Sequence, residues 1–571
     1  MHRPDRRAFV IRLSSLAALS GSGVLLSACG GSDDEPVPQY GYGVASGDPL
    51  ADRVILWTHA RYADRDDEVK LVWEVARDAA FAQIVATGRV SAGAATGHTA
   101  KADATGLSAG QSYYYRFRHD VDDQDPARRS PVGRTRTLPA SGASSLALAV
   151  LSCSNYPAGY FHAYAEAARS EAQYAVHLGD FIYEYGPGGY ASADAAGLGR
   201  VVQPASECLT LADYRARYAQ YRSDPDSKVL AAAMPLIAIW DDHEIANDAW
   251  SGGAENHDPA TEGAFTARRD AAVKAWHEWL PVRAPDAANP LKIWRSFDFG
   301  GLAALHMLDT RLIGRDRQIE FADLQNPATA QAALAALASP DRRLMGAEQL
   351  GWLQRQMAGS QATWQVLGQQ VLMARMAFPV SVLSAINAAN RSPEAQAAAL
   401  KAIQDYLTAK RIAAQNPAAL TPEQQALLDP QKNPRLGYNL DAWDGYPAER
   451  ERVLGAAAQL GKKLVVLAGD THNAWGSQLT RLDGTVAGHE FGTTSVSSPG
   501  MEDYLAVLPP AQTQQIFMGV GADLKYADTA RRGFLLMRFT PAEASGQWVY
   551  VSSIKQRGYT TATSAPLVVK A

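Results

Sequence analysis

Cysteine is scarce in this chain. The three residues, Cys29, Cys153 and Cys208, in 571 positions exclude a disulfide-stapled scaffold and leave room for at most one bridge. No block of lysine and arginine stands out, and the formal net charge is −5. The basic footprint of a protein that grips nucleic acid by its phosphates is therefore missing, and no stable nucleic-acid partner is expected. Past the N-terminal segment, no run is long and apolar enough for a membrane-spanning helix. No Gly-x-Ser-x-Gly elbow occurs, and the serines of Thr494–Ser498 have no recognisable base nearby, which argues against a serine hydrolase. What is present is a globular balance, 47% hydrophobic and 20% charged. Such a chain can bury a large core. Its length predicts about three to five domain-sized units, or fewer large ones.

The first residues read as an address. Arg6-Arg7 precedes a mildly apolar stretch, Val10 to Leu26, that contains Arg12, serines and glycines. Twin arginine with a weak hydrophobic region reads as a Tat-type signal, 1–28. Leu26-Ser27-Ala28-Cys29 resembles a bacterial lipobox, so Cys29 is expected to carry lipid and 29–39 to act as a flexible polar linker. The alternative is an ordinary signal peptide with a chance cysteine. The expected partners are the Tat translocon during export and a membrane through that lipid, and the expected location is periplasmic or at the cell surface.

Residues 40–140 alternate. Tyr113, Tyr115 and Phe117 interleave with Tyr114, Arg116 and Arg118, and Val69, Leu71, Trp73 and Val75 with Lys70, Val72 and Glu74. Period two with aromatic and β-branched residues predicts half-buried antiparallel strands in a small immunoglobulin- or fibronectin-like sandwich. Residues 138–145 are rich in Pro, Ala, Ser and Gly, as in a linker. From 145 to 571 the rhythm is α/β. Continuous apolar runs (Leu146–Leu151, Ala175–Leu178, Leu236–Trp240, Ala303–Leu308, Trp364–Leu367, Leu464–Ala468) alternate with helical stretches and predict strands covered on both faces. Residues 380–436 form an Ala/Gln-rich insertion read as two helices. It has a Ser392-Pro393 start and a Thr421–Gln424 capping box, and serves as decoration or lid.

Four of these strands end in polar clusters: Ser152-Cys153-Ser154-Asn155, Gly179-Asp180 with Tyr183-Glu184, Asp241-Asp242-His243-Glu244 with Asn247-Asp248, and Gly469-Asp470-Thr471-His472-Asn473. Ligands in such sheets sit beyond the strand carboxyl ends. Carboxylates brought together repel unless a cation neutralises them or they share protons, and mixed oxygen, nitrogen and sulfur donors point to metal. Asp241 and Asp242 point oppositely if still on the strand, and Asp242 is taken to face the metal.

These motifs resemble the scattered signature of calcineurin-like metallophosphoesterases. More closely, with Gly43–Pro49, Val54–Thr58, Tyr214–Tyr218, Trp240–Glu244, Leu308–Arg311 and Phe491–Ser495, the chain resembles the PhoD-type alkaline phosphatase/phosphodiesterase family from about residue 40 to 560. That resemblance implies an αββα sandwich behind the small β domain, with ferric iron and one or two calcium ions. It implies Cys153 as a thiolate ligand in place of the usual Asp-x-His, Asp180 as bridging carboxylate, Tyr183 as phenolate ligand, and Asp242, Asp470 and His472 as further ligands. Thiolate, phenolate and carboxylate suit a trivalent ion, and the remaining carboxylates a hard cation. A metal-bound hydroxide would attack phosphorus, His243 would protonate the leaving oxygen, and Arg311 would clamp the phosphate. The expected substrates are small extracellular phosphomonoesters and phosphodiesters. A phospholipase-D-like diesterase stays open as an alternative, and a non-catalytic envelope binding protein as a more distant one. The alternatives to the ligand role of Cys153 are a small core residue and a pairing with Cys208, and Tyr438–Pro447 either rims the pocket or docks the insertion.

Overall fold

The computed structural model describes residues 36–121, 125–388, 392–506 and 508–571. The signal segment 1–28, Cys29 and most of the 29–39 linker lie outside the described residues. No helix among the described residues is long and apolar enough to cross a membrane.

The alternating segment forms seven strands: β1 (Val44–Gly47), β2 (Arg53–His59), β3 (Val69–Ala76), β4 (Ile84–Ala92), β5 (Thr99–Thr105), β6 (Ser112–His119) and β7 (Gly133–Arg136). On β6 the alternation is strict, with Tyr113, Tyr115 and Phe117 buried and their neighbours half-exposed. On β3 it breaks from Val72 on: Val72 is buried, Trp73 is half-buried, and Glu74 is buried with Arg116 Nε and Arg118 Nε donating to it at 2.7 and 2.9 Å. An antiparallel sheet in the order β4-β3-β6-β7 packs on β1, β2 and β5 through Val54, Leu56, Leu71, Tyr115 and Phe117.

The inner layer of this unit continues into the rest of the molecule. β8 (Leu146–Leu151), β9 (Tyr174–His177) and β10 (Leu236–Ala238) run parallel, and β1 lies parallel beside β10. With β2 and β5 beyond β1, and with β20 (Arg532–Phe539), β21 (Glu543–Val551), β22 (Thr561–Thr563) and β23 (Leu567–Lys570) on the other side, they make a ten-stranded sheet. Hydrogen bonding therefore crosses the linker that composition marks at 138–145. A second sheet of seven strands contains β11 (Arg295–Asp298), β12 (Ala303–Met307), β13 (Trp364–Gly368), β16 (Lys463–Ala468), β17 (Ala474–Thr480), β18 (Val486–Gly492) and β19 (Leu524–Asp528), with β12, β13, β16 and β18 parallel. A short ladder of β14 (Ala377–Pro379) and β15 (Arg435–Gly437) stands apart and brackets the insertion.

The two sheets pack face to face. Val465 and Leu467 join a core with Leu148, Val150 and Met537, whereas Val466 and Ala468 join a second core. Successive residues of one strand point to opposite faces, so both faces of β16 are dry beyond Lys463 and its sequence is apolar from Leu464 to Ala468. Helices α1 (His162–Arg169), α2 (Leu211–Ser223), α3 (Pro225–Ala233) and α4 (Phe265–Trp279) cover the first sheet through Ala167, Tyr218, Leu230 and Trp276. Helices α5 (Gly346–Gly359), α9 (Pro447–Gln459) and α10 (Pro510–Val520) cover the second through Leu353, Val453 and Phe517. The result is helix, sheet, sheet, helix, as the αββα expectation has it. The insertion folds as α6 (Val380–Ala388), α7 (Pro393–Gln415) and α8 (Pro422–Leu428), three helices where two were read. Ser392 and Thr421 cap as their sequences suggest.

Asp48, in the Gly43–Pro49 motif, fastens the N-terminal unit to this body. Its carboxylate accepts from Arg295 Nε at 2.9 Å, from Arg295 Nη2 at 2.7 Å and from the Arg283 amide at 2.6 Å, and it is buried. Truncating one partner of a buried pair strands the other charge. Asp48→Ala is expected to lower the unfolding free energy by about 3–5 kcal/mol, read as a fall in the denaturation midpoint.

Candidate active site

Four parallel strands deliver the polar clusters to one place. Beyond β8 comes Cys153, beyond β9 Asp180 and Tyr183, beyond β10 Asp241, Asp242 and His243, and beyond β16 Asp470 and His472. They meet at the edge of a cavity of about 360 Å³, lined by Asp180, Asp242, His243, Asp470 and His472 and by Asp248 and Asp441. Three groupings bring one ligand atom from each member within 4.8 Å of the others: Cys153 with Asp180 and His472, Asp180 with Asp242 and His243, and Asp241 with Asp242 and Asp470.

Backbone strain holds several of these residues. Cys153, Asp180, Asp470 and His472 have φ of 60°, 55°, 61° and 62°. Non-glycine residues in the left-handed region cost about 1–3 kcal/mol each and persist only where the surroundings over-determine them. Two glycines let the loops press together. A Cβ on Gly179, itself at φ 107°, would fall 2.4 Å from Asp241 Cβ, and one on Gly469 would fall 2.8 Å from Ser152 Cβ.

Buried carboxylates just outside the cluster set its shape. Glu244 accepts from the amides of Asp180 (2.9 Å), Asp241 (2.7 Å) and Phe181, so one side chain ties the β9 and β10 loops. Glu184 accepts from the Asn247 amide and pairs with His243 Nδ1, both at 2.8 Å. His472 Nδ1 donates to Pro499 O at 2.7 Å, which leaves Nε2 as the acceptor atom, 3.2 Å from Tyr183 Oη. Tyr183 Oη donates to Asp180 Oδ2 at 2.9 Å and accepts from Ser498 Oγ at 2.6 Å.

Arg311 lies elsewhere than the phosphate clamp expected of it. Its side chain has no exposed surface and does not line the cavity. Nε donates to Asp241, Nη1 to Asp441 at 2.8 Å and Nη2 to Asp470 at 3.0 Å, with Asp242 3.7 Å away. It is a counter-ion at the base of the carboxylate cluster, and Arg315 adds a second cation to Asp441.

The electrostatics follow. Burial pushes Asp180 and Asp470 well above the usual carboxylate range, and Asp241 to about 7. Burial acts on Asp242 as well, but Arg311 and His243 outweigh it and hold that carboxyl below its ordinary value. Burial also lowers His472 to about 3 and raises Cys153 and Tyr183. For His243, burial is outweighed by Asp242, Glu184 and Asp180, which raise it well above the ordinary imidazole value. Asp180 Oδ1, Asp241 Oδ2 and Asp242 Oδ1 are buried with no hydrogen-bond partner. Cys153 and Cys208 are both free thiols, so the pairing considered for them is not formed.

Of the two readings of Tyr438–Pro447 the pocket rim is formed, and the lining residues that sequence reasoning passed over include Tyr185 and Tyr190. Asp441 lies in the acidic Tyr438–Pro447 segment, which reaches the cavity with Tyr438, Asn439 and Leu440. Tyr185 and Tyr190 come from an irregular loop with no readable pattern. Tyr190 Oη lies 3.2 Å from His472 Nδ1.

Paired sheets with acid-and-imidazole strand ends around one cavity define a phosphoesterase, and the comparisons agree. The fold matches a solved structure described as the structure of PhoD with a TM-score of 0.73 and 30% identity, over 95% of this chain and 92% of that one. Alkaline phosphatase D of Bacillus subtilis (strain 168) is 34% identical over 519 residues, which are 87% of this chain and 76% of that protein. The PhoD-like phosphatase profile matches residues 148–548, and that of the PhoD-like phosphatase N-terminal domain residues 27–139. The chain belongs to the PhoD-like phosphatase family.

Glu244 offers a test of how the loops are held. Glu244→Ala leaves three site amides without their acceptor and is expected to lower kcat/KM on p-nitrophenyl phosphate by about 10–100-fold, the scale for losing a carboxylate that orients a site.

Proposed function

We propose that the protein is an exported, lipid-anchored, metal-dependent phosphoesterase that releases phosphate from extracellular monoesters and diesters. The observation that carries the metal reading is the set of three buried carboxylate oxygens with no hydrogen-bond partner on Asp180, Asp241 and Asp242, beside a thiol, a phenol and an imidazole. Leaving such oxygens dry and unpaired is unfavourable, and cations fill that role.

The donor set fits two kinds of ion. Cys153, Asp180, Tyr183 and His472 would hold iron, since thiol and phenol bind as anions only under a strong cation. Asp180, Asp242 and Asp470, with Asp241, would hold calcium. Bound cations would lower the pKa of a water at the site and neutralise phosphate oxygens.

The chain's own groups do the rest. The Pro499 carbonyl fixes the His472 tautomer that leaves Nε2 free as a ligand atom. Glu184 holds His243 through Nδ1, so Nε2 is free to face the cavity. Asp242, Glu184 and Asp180 raise the His243 imidazole above its ordinary value, which favours its proton-bearing form. His243 then donates to the departing ester oxygen. Arg311 holds Asp241, Asp441 and Asp470 in register beneath the substrate.

Two variants check the assignments. Asp180→Asn is expected to abolish hydrolysis of p-nitrophenyl phosphate and the binding of metal together; unchanged activity would favour a non-catalytic envelope protein with a contaminating phosphatase. His243→Gln is expected to slow alkyl phosphates by about 100-fold or more, the scale of general acid catalysis, and p-nitrophenyl phosphate far less, because p-nitrophenolate leaves without a proton. Equal losses on both would remove the proton-donor role.

A further inference from the structure

A second cavity, walled by uncharged side chains, adjoins the catalytic one. It measures about 240 Å³ and shares three lining residues, Tyr438, Met501 and Tyr504, with the carboxylate-lined cavity. Its other walls are Phe378, Leu383, Ile386, Asn387, Leu505 and Phe517, none of them charged. Leu383 and Ile386 lie on α6, the first helix of the insertion. Its floor is a fixed aromatic cluster. Phe378 stacks on Tyr438 with ring centres 5.9 Å apart, and Phe517 meets both edge-on at 5.0 and 5.5 Å. Tyr504 stands between the two spaces. Its hydroxyl lies 3.1 Å from that of Tyr190, which in turn reaches His472.

The contrast in chemistry is sharp across a wall three side chains wide. A phosphate seated among Asp180, Asp242 and His472 can direct one of its ester arms over Tyr504 into an uncharged aromatic-lined space. Engineered apolar cavities of about 150 Å³ accept benzene, so 240 Å³ admits an aryl ring or a short alkyl chain.

We propose that this annex is the subsite for an apolar ester group that stays on phosphorus, and that the insertion thereby sets a preference for diesters carrying a short alkyl or aryl arm. The assignment rests on the phosphoesterase reading above and adds to it the chemistry of the second ester group.

The test is a series of p-nitrophenyl alkyl phosphodiesters, methyl to hexyl, with the leaving group held constant. Wild-type kcat/KM is expected to rise about fourfold per methylene until the annex is full, the scale for burying one such group. In Ile386→Asp, which puts a charge into the annex, the slope is expected to flatten, each rate being read against that variant's own rate on p-nitrophenyl phosphate. Should Ile386→Asp lose all activity, Ile386→Ala decides in its place, with a shallower slope expected. A flat wild-type series in an enzyme that hydrolyses p-nitrophenyl phosphate overturns the annex alone, as does a slope that neither variant changes. Failure to hydrolyse any ester overturns the annex and the phosphoesterase reading together.

Discussion

The arrangement depends on one electrostatic problem, the gathering of largely buried carboxylates at the edge of one cavity. Asp180, Asp241, Asp242 and Asp470 converge from three strands, and Asp441 closes on them from the segment after the insertion. Arg311 is a fully buried cation among them and touches Asp241, Asp441 and Asp470, and Arg315, equally buried, reaches Asp441. Two guanidiniums cannot neutralise five acids, and burial accordingly drives Asp180 and Asp470 toward their neutral forms. Carboxylate oxygens without a hydrogen-bond partner at the centre of such a cluster are where positive charge would be most stabilising.

The scaffold works to hold these acids against their preference to separate. Two face-to-face sheets bring strand ends from distant parts of the chain to one edge. Gly179 and Gly469 allow the loops to approach to distances that a Cβ would forbid. Glu244 and Glu184 capture loop amides, and the left-handed backbones of Cys153, Asp180, Asp470 and His472 aim their side chains inward. Strain of this kind is held only by a body that is rigid elsewhere, and the two dry cores on either side of the second sheet supply that rigidity.

Much of this was legible in the sequence because burial writes itself into residue pattern. The six apolar runs predicted as strands all form, within two residues at each end, since a strand covered on both faces is apolar at nearly every position; among the exceptions, His306 and Gln365 satisfy each other at 3.0 Å. The alternation of β6 was equally readable. Glu74 was not, because its burial depends on arginines in a neighbouring strand. Nor was the join of β1 to β10, a pairing between segments almost two hundred residues apart with no signal at either end. At the site, polar clusters after apolar runs pointed to the residues that converge. The role of Arg311 was hidden because its partners come from three separate loops, and Tyr190 because it sits in irregular chain.

The central claim is that these side chains enclose cations, and the most direct measurement is the metal content and visible spectrum of protein purified with no added ions. The account predicts bound iron and calcium, and a violet phenolate-to-iron band that Tyr183→Phe abolishes. Colourless protein, free of iron and calcium and fully active on phosphate esters, would contradict it.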